Sequence, residues 1–167
     1  MELSQVINSR RSVRQYKSQP VEDEKIREII EAGRRAPTSR NSQNWYCILL
    51  RNPRILNQLE EAFAKQQWIV RAPAIMVVCG TNNRTMMCGQ AANPIDCSIA
   101  LTLMMLKAAE LGLGTCWLGM FDAGKIRELL DIPAADMIVA VTPLGYADEE
   151  PQERPRKDLA EFVRYID

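Results

Sequence analysis

Apolar positions repeat along this chain at two spacings, which divide it into elements. In "EDEKIREIIEAGRR" (22–35) Ile26, Ile29 and Ile30 share a face at the helical period. Acids fill the first turn of that helix, and Arg34 and Arg35 the last, complementing its dipole. Leu3, Val6 and Ile7 fit a short amphipathic helix upstream. "WYCILL" (45–50) and "AIMVVCG" (74–80) read as strands, the second bounded like a buried central one by Pro73 and Gly80. Between them Pro53 opens a helix with Leu56, Leu59 and Phe63 on one face.

Residues 81–93 are polar and irregular, and read as a loop and candidate lid. From Pro94 to Leu111 the chain is helical and apolar almost all round, the pattern of a helix covered on every side in the core or a subunit interface. "GLGTCWLGMF" (112–121) supplies a glycine stop, a strand and a turn. "GKIRELLDI" (124–132) is a short helix, and "MIVAVTPLGY" (137–146) a last buried strand. The polar tail from 147 to 167 carries two prolines and ends in a modest helix. No repeat or linker interrupts this order, so one domain spanning 1–167 is expected. The alternation of strands and helices by itself suggests a three-layer α/β sandwich.

Composition narrows the chemistry. The 167 residues contain 21 Lys plus Arg against 21 Asp plus Glu, so a general nucleic-acid binder is not expected. Histidine is absent, which removes the commonest general base, the Ser-His and Cys-His pairs and the most frequent metal ligand. Four of the five cysteines (Cys47, Cys79, Cys97, Cys116) sit in apolar stretches, and only Cys88 in a polar one. No C-x-x-C occurs, so no metal site is expected, and reduced buried thiols suggest a reducing compartment. With no signal-like or bilayer-length apolar segment, the expectation is a cytoplasmic protein without a membrane partner.

Four motifs carry candidate chemistry. Arg10, Arg11, Ser12 and Arg14 crowd "RRSVR", a set of forked and hydroxyl donors suited to phosphate, or equally a solvated basic surface. "APTSRNSQNW" (36–45) packs neutral donors and acceptors into a turn-rich stretch before a strand. "GLGTCWLG" (112–119) allows a flat ligand to approach the backbone, although its glycines lack the dinucleotide-binding spacing. "ERPRK" (153–157) sets Arg154 and Arg156 on either side of Pro155.

Together and in this order, from about residue 5 to the C-terminus, the motifs resemble those of the FMN-dependent nitroreductase family in its short form. The resemblance implies an α+β fold: a three-layer sandwich whose central sheet is mainly antiparallel and flanked by helices. It also implies an intertwined homodimer with FMN in each interface cleft. Arg10, Arg11 and Ser12 would lie along the ribityl-phosphate end, and Arg14 near the flavin pyrimidine edge. Arg156, with Arg154 beside it, would complete the phosphate clamp. Thr38, Ser39 and Asn41, supplied by the partner subunit, would contact the flavin or ribityl chain. Trp117, Leu118 and Gly119 would run beside the ring, with backbone N–H groups near its N5. No side chain is assigned as catalytic, because the flavin N5 carries the chemistry. NADH or NADPH would be the reductant, and a nitroaromatic, quinone or similar electron-poor small molecule the acceptor, in ping-pong order. The alternatives are a flavin-binding or regulatory module without turnover, and a member with another reaction such as dehalogenation or enone reduction. Asn44 departs from the family pattern, which usually has proline after the glutamine here occupied by Gln43. "AKQQW" (64–68) receives no role.

Overall fold

The computed structural model describes residues 2–63 and 66–166, so Ala64 and Lys65 of "AKQQW" and the last tail residue, Asp167, lie outside the described residues. A four-stranded sheet runs through the middle. It comprises β1 (Trp45–Leu50), β2 (Ala74–Gly80), β3 (Gly114–Thr115) and β4 (Met137–Gly145), in the order β1-β2-β4-β3, with every pairing antiparallel. Five helices accompany it: α1 (Leu3–Ser9), α2 (Asp23–Arg34), α3 (Pro53–Gln58), α4 (Ala92–Glu110) and α5 (Ala123–Leu130).

Alternate residues of β2 feed two cores. Ala74, Met76 and Val78 face Ile26, Ile29, Leu101 and Met104 of α2 and α4. Ile75, Val77 and Cys79 face Phe63, Ile69 and Ile126 on the other side. The sheet is thus covered on both faces, which makes three layers and confirms the α+β expectation. The parallel sheet suggested by element alternation is incorrect. An unbroken apolar run reports burial on two faces, which normally marks a parallel strand, but antiparallel strands covered by helices on both sides produce the same run.

Element boundaries differ most from the expectation in three places. Helix α4 starts at Ala92 rather than at Pro94, because a proline in the first helical turn lacks only an N–H that has no partner there. Asn93 and Ala92 instead donate their amides to Asn83 Oδ1 and the Arg84 carbonyl, at 3.2 and 2.9 Å, so the preceding loop caps the helix. The helix opened by Pro53 ends at Gln58, and Leu59–Phe63 continue as a tighter 3-10 turn that still buries Leu59 and Phe63. In the tail the modest helix reduces to one exposed 3-10 turn, Leu159–Glu161, since a segment this short with no core to cover cannot hold a helix.

Helix α4 is not covered all round. Ile95, Ser98, Thr102, Leu103 and Leu106 form an incompletely buried stripe at helical spacing, with Ile99 exposed beside them. Leu3 and Ile7, one turn apart on α1, are also exposed. Among the described residues no helix is long and apolar enough to cross a membrane.

Candidate active site

The N-terminal arm after α1 is extended and zipped to the end of β4 and to β3. Val13 donates its amide to the Thr115 carbonyl at 3.0 Å, with Ser12 bridging Thr115 in parallel. Lys17 donates to the Tyr146 carbonyl, and Asp148 to that of Gln15, both at 2.9 Å. The Glu149 carboxylate then accepts from the amides of Arg14 and Gln15. The Tyr16 hydroxyl donates to the Val13 carbonyl at 2.6 Å, and burial pushes that phenol well above its usual range. Val13 lies so close over Gly114 that a Cβ there would come within 2.6 Å of Val13 Cγ2, which explains this glycine.

The zipper brings the two ends of the chain together. Arg10, Arg11, Ser12 and Arg14 line one cavity of about 320 Å³ with Arg154 and Arg156, alongside Glu149, Glu150, Pro151 and Gln152. Five arginines against two glutamates make a cationic cradle. Arg11 Nη2 pairs with Glu153 Oε2 at 3.1 Å, and the Arg156 guanidinium rests on the Arg154 carbonyl at 3.4 Å. Arg14 also lines a second cavity of about 560 Å³ with Gln15, Tyr16, Trp68, Arg71 and Asp148. Trp68 and Arg71 line this second cavity, and no motif singled them out. The only sequence signal was an aromatic and a cation in the stretch before β2. Next to the arm, burial raises the Cys116 thiol while Arg14, Ser12 and Arg10 pull it down, and burial raises Cys47 and Cys97 to about 12. These thiols stay protonated at neutral pH.

The other expected residues stand apart from the cradle. Trp117 is partly exposed over Gly119, whose Cβ would meet the indole at 3.1 Å. Leu118 is buried and exchanges backbone hydrogen bonds with Val141 at 3.0 and 3.1 Å. The loop before β1 is contorted: Arg40, Asn41 and Gln43 all have positive φ, at 58°, 52° and 52°. Each such non-glycine residue costs roughly 1–2 kcal/mol, so surrounding contacts must hold it. Thr38 Oγ1 accepts from the Gln43 amide at 3.0 Å, and the Asn41 amide donates to the Thr38 carbonyl at 2.9 Å. Ser39 is gripped from outside: its amide donates to Asp96 Oδ1 at 2.9 Å and its carbonyl accepts from Arg84 Nη2 at 2.9 Å. Its hydroxyl accepts from the same nitrogen and donates to the Met86 sulfur at 3.3 Å. The 81–91 segment is therefore no free lid. It carries a small hairpin, Thr85 bridging Ala91, whose flank rests on this loop.

A helix-flanked antiparallel sheet, with a cavity lined by five arginines and a second one edged by Tyr16 and Trp68, defines an α+β protein. The profile of the Nitroreductase family matches residues 7–91 and 70–146, so the chain belongs to that family. A protein of Archaeoglobus fulgidus named for NADH dehydrogenase/NAD(P)H nitroreductase activity is 34% identical over 158 residues, covering 89% of this chain and 87% of that one. The crystal structure of a nitroreductase family protein from Clostridium difficile 630 superposes with a TM-score of 0.90 at 31% identity, covering 99% and 98% of the two chains. An FMN reductase [NAD(P)H] of Bacillus subtilis is 26% identical over 173 residues, covering 93% of this chain and 70% of its own. The enzyme class follows with the family: an NAD(P)H-dependent oxidoreductase.

Proposed function

We propose that this chain is an FMN-dependent reductase that takes electrons from NADH or NADPH and passes them to an electron-poor acceptor, such as a nitroaromatic or a quinone, in ping-pong order. The observation that carries this reading is the cradle. Arginines about 140 positions apart in sequence line one cavity, and Arg14 also lines a larger one edged by Tyr16 and Trp68. The donor set fits FMN. Guanidinium forks and the Ser12 hydroxyl match the oxygens of a phosphate ester, and the two cavities offer separate room for phosphate and ring. Bound FMN supplies two-electron transfer through its N5, which no side chain of this chain replaces.

The residues then have distinct tasks. Arg10, Arg11, Ser12, Arg154 and Arg156 hold the phosphate. Arg14, which lines both cavities, would place a fixed cation beside the pyrimidine edge of a bound flavin and would favour negative charge there. The family resemblance assigns Trp117, Leu118 and Gly119 to the flank of the ring; they line neither cavity, and Leu118 is fixed by its backbone pair with Val141. No general base is required, which agrees with a chain that has no histidine.

The working unit is a homodimer whose partner supplies Thr38, Ser39 and Asn41. Three features support a second copy of this chain as the occupant of the apolar surface. The stripe on α4 is incompletely covered, β1 is an edge of the sheet, and the tail presents Phe162 and Tyr165 at 68% and 80% exposure. Leu159, Val163 and Ile166 are exposed beside them, and apolar residues left this open mark an association surface.

The test is direct. Purified protein should be yellow, release FMN on denaturation, run at twice the chain mass and consume NADH only when nitrofurazone is present, with parallel double-reciprocal plots. Colourless protein that fails to quench FMN fluorescence would refute the reading.

A further inference from the structure

We propose that Arg84 and Asp96 act together as a clamp on Ser39, making them positioning residues that hold the 37–44 loop in its flavin-contacting shape. The proposal rests on the reading of that loop as part of the flavin site and goes beyond it, because neither residue belongs to a motif of the resemblance.

The geometry is specific. Asp96 lies one turn into α4, 3% exposed, and offers Oδ1 to the Ser39 amide at 2.9 Å. Arg84 Nη2 donates to both the carbonyl and the hydroxyl of Ser39. All three polar groups of one residue are thus occupied by two side chains more than forty positions away in sequence. Ser39 immediately precedes Arg40, the first of the positive-φ residues. Backbone in that region persists only where the surroundings over-determine it, and the clamp supplies that restraint at the entry to the contorted stretch.

The clamp is itself anchored. The Arg84 carbonyl accepts the Ala92 amide and Asn83 Oδ1 accepts that of Asn93, so the residues bearing the guanidinium also cap the helix bearing Asp96. Asp96 Oδ2 is buried with no hydrogen-bond partner among the described residues, as is Asn93 Nδ2 next to Gly80. A buried carboxyl oxygen left unpaired is costly to keep. Its retention in a helix otherwise full of Leu, Met and Ala fits a residue kept for the loop it holds. The polar 81–91 segment thereby acquires a role: it carries the hand that closes on the flavin loop.

The experiment uses the full chain and four variants, Arg84→Ala, Asp96→Ala, Asp96→Asn and the double alanine. The first readout is amide hydrogen exchange in the flavin-free protein. Both single alanine variants should raise exchange in peptides covering 37–44 by about tenfold and leave β2 and β4 unchanged. The second readout is FMN affinity by fluorescence quenching, expected to fall about tenfold in each, with the double variant close to the weaker single because an open clamp cannot open twice. Asp96→Asn keeps an oxygen for the Ser39 amide and should stay within about threefold of the parent, a rescue that plain core damage would not show. Arg84 is only partly buried, so Arg84→Ala keeps the test open if Asp96→Ala does not fold. Unchanged exchange at 37–44 overturns the clamp. Raised exchange with unchanged FMN affinity overturns its positioning role. A parent protein that binds no FMN overturns the flavin reading and this role with it, whatever the exchange data show.

Discussion

The arginine cradle and the 37–44 loop are assembled in opposite ways. The cradle is built by backbone. An extended arm pairs with β3 and with the end of β4, and the side chains it carries follow from that pairing. The loop is built by side chains, with Asp96 and Arg84 reaching it from α4 and the segment before it. Backbone ladders tolerate most side-chain changes, whereas a side-chain clamp fails with one substitution. The phosphate end of the site should therefore yield only to direct attacks on its charges or to changes that lift the arm off the sheet, while the loop should yield to single changes outside the ligand shell.

The largest expected effect breaks the cradle itself. Arg10→Ala and Arg156→Ala each remove a charge-assisted contact worth about 1.5–3 kcal/mol, so the double variant should weaken FMN binding by roughly a hundredfold or more. That is about ten times the loss expected from opening the clamp. Exchange in 37–44 should not change, because the arm and the loop share no hydrogen bond among the described residues. A double variant that keeps FMN at one per chain would show that the phosphate lies elsewhere.

A smaller effect should come from the backbone beneath the cradle. Gly114→Ala places a methyl group 2.6 Å from Val13 Cγ2 and 2.7 Å from Val13 Cβ, and a β-branched side chain cannot turn away cheaply. The arm must move off β3, at a cost of about 1–3 kcal/mol in stability, measured by urea denaturation, and FMN affinity should fall in parallel. Gly33→Ala is the control. Its methyl group meets Met104 Cγ and Sδ at 2.7 Å and Trp45 Cη2 at 3.1 Å, so stability falls there too, but α2 carries no residue of the cradle and FMN affinity should hold. Equal losses of FMN affinity in the two variants would show that the arm is not specially sensitive.

The same contrast explains how much could be read from the amino acids. Ile26 and Ile29 of α2, the alternate faces of β2 and the glycine stop at Gly112 report local geometry, and each was readable. The cradle was readable only because arginine is conspicuous at both ends of a chain with no net charge. Strand direction was not, since burial on two faces carries no information about it. Trp68 and Arg71 were missed because nothing near them repeats or pairs. Asp96 was hidden in an apolar helix, and Arg84 in a stretch read as a lid. Their meaning depends on Ser39, and a contact across 57 positions leaves no trace in spacing.

The smallest expected effect concerns what the cradle does with its own charge. Glu153 is 76% exposed at its side chain and pairs with Arg11, which is 26% exposed. An ion pair so open to water contributes little to stability, so Glu153→Gln should shift the unfolding midpoint hardly at all. Its effect on ligand affinity has the opposite sign to the arginine variants. A phosphate entering beside Arg11 must compete with the carboxylate, so removing that charge should tighten FMN binding by about two- to threefold. The gain should shrink as sodium chloride rises from low concentration toward 1 M, where screening shortens to about 3 Å. Asp158→Asn, a tail charge without a side-chain partner among the described residues, should not reproduce it. If Glu153→Gln instead weakens binding, the Arg11–Glu153 pair orders the tail for the ligand rather than opposing it, and the cradle resembles the loop in depending on a side-chain contact.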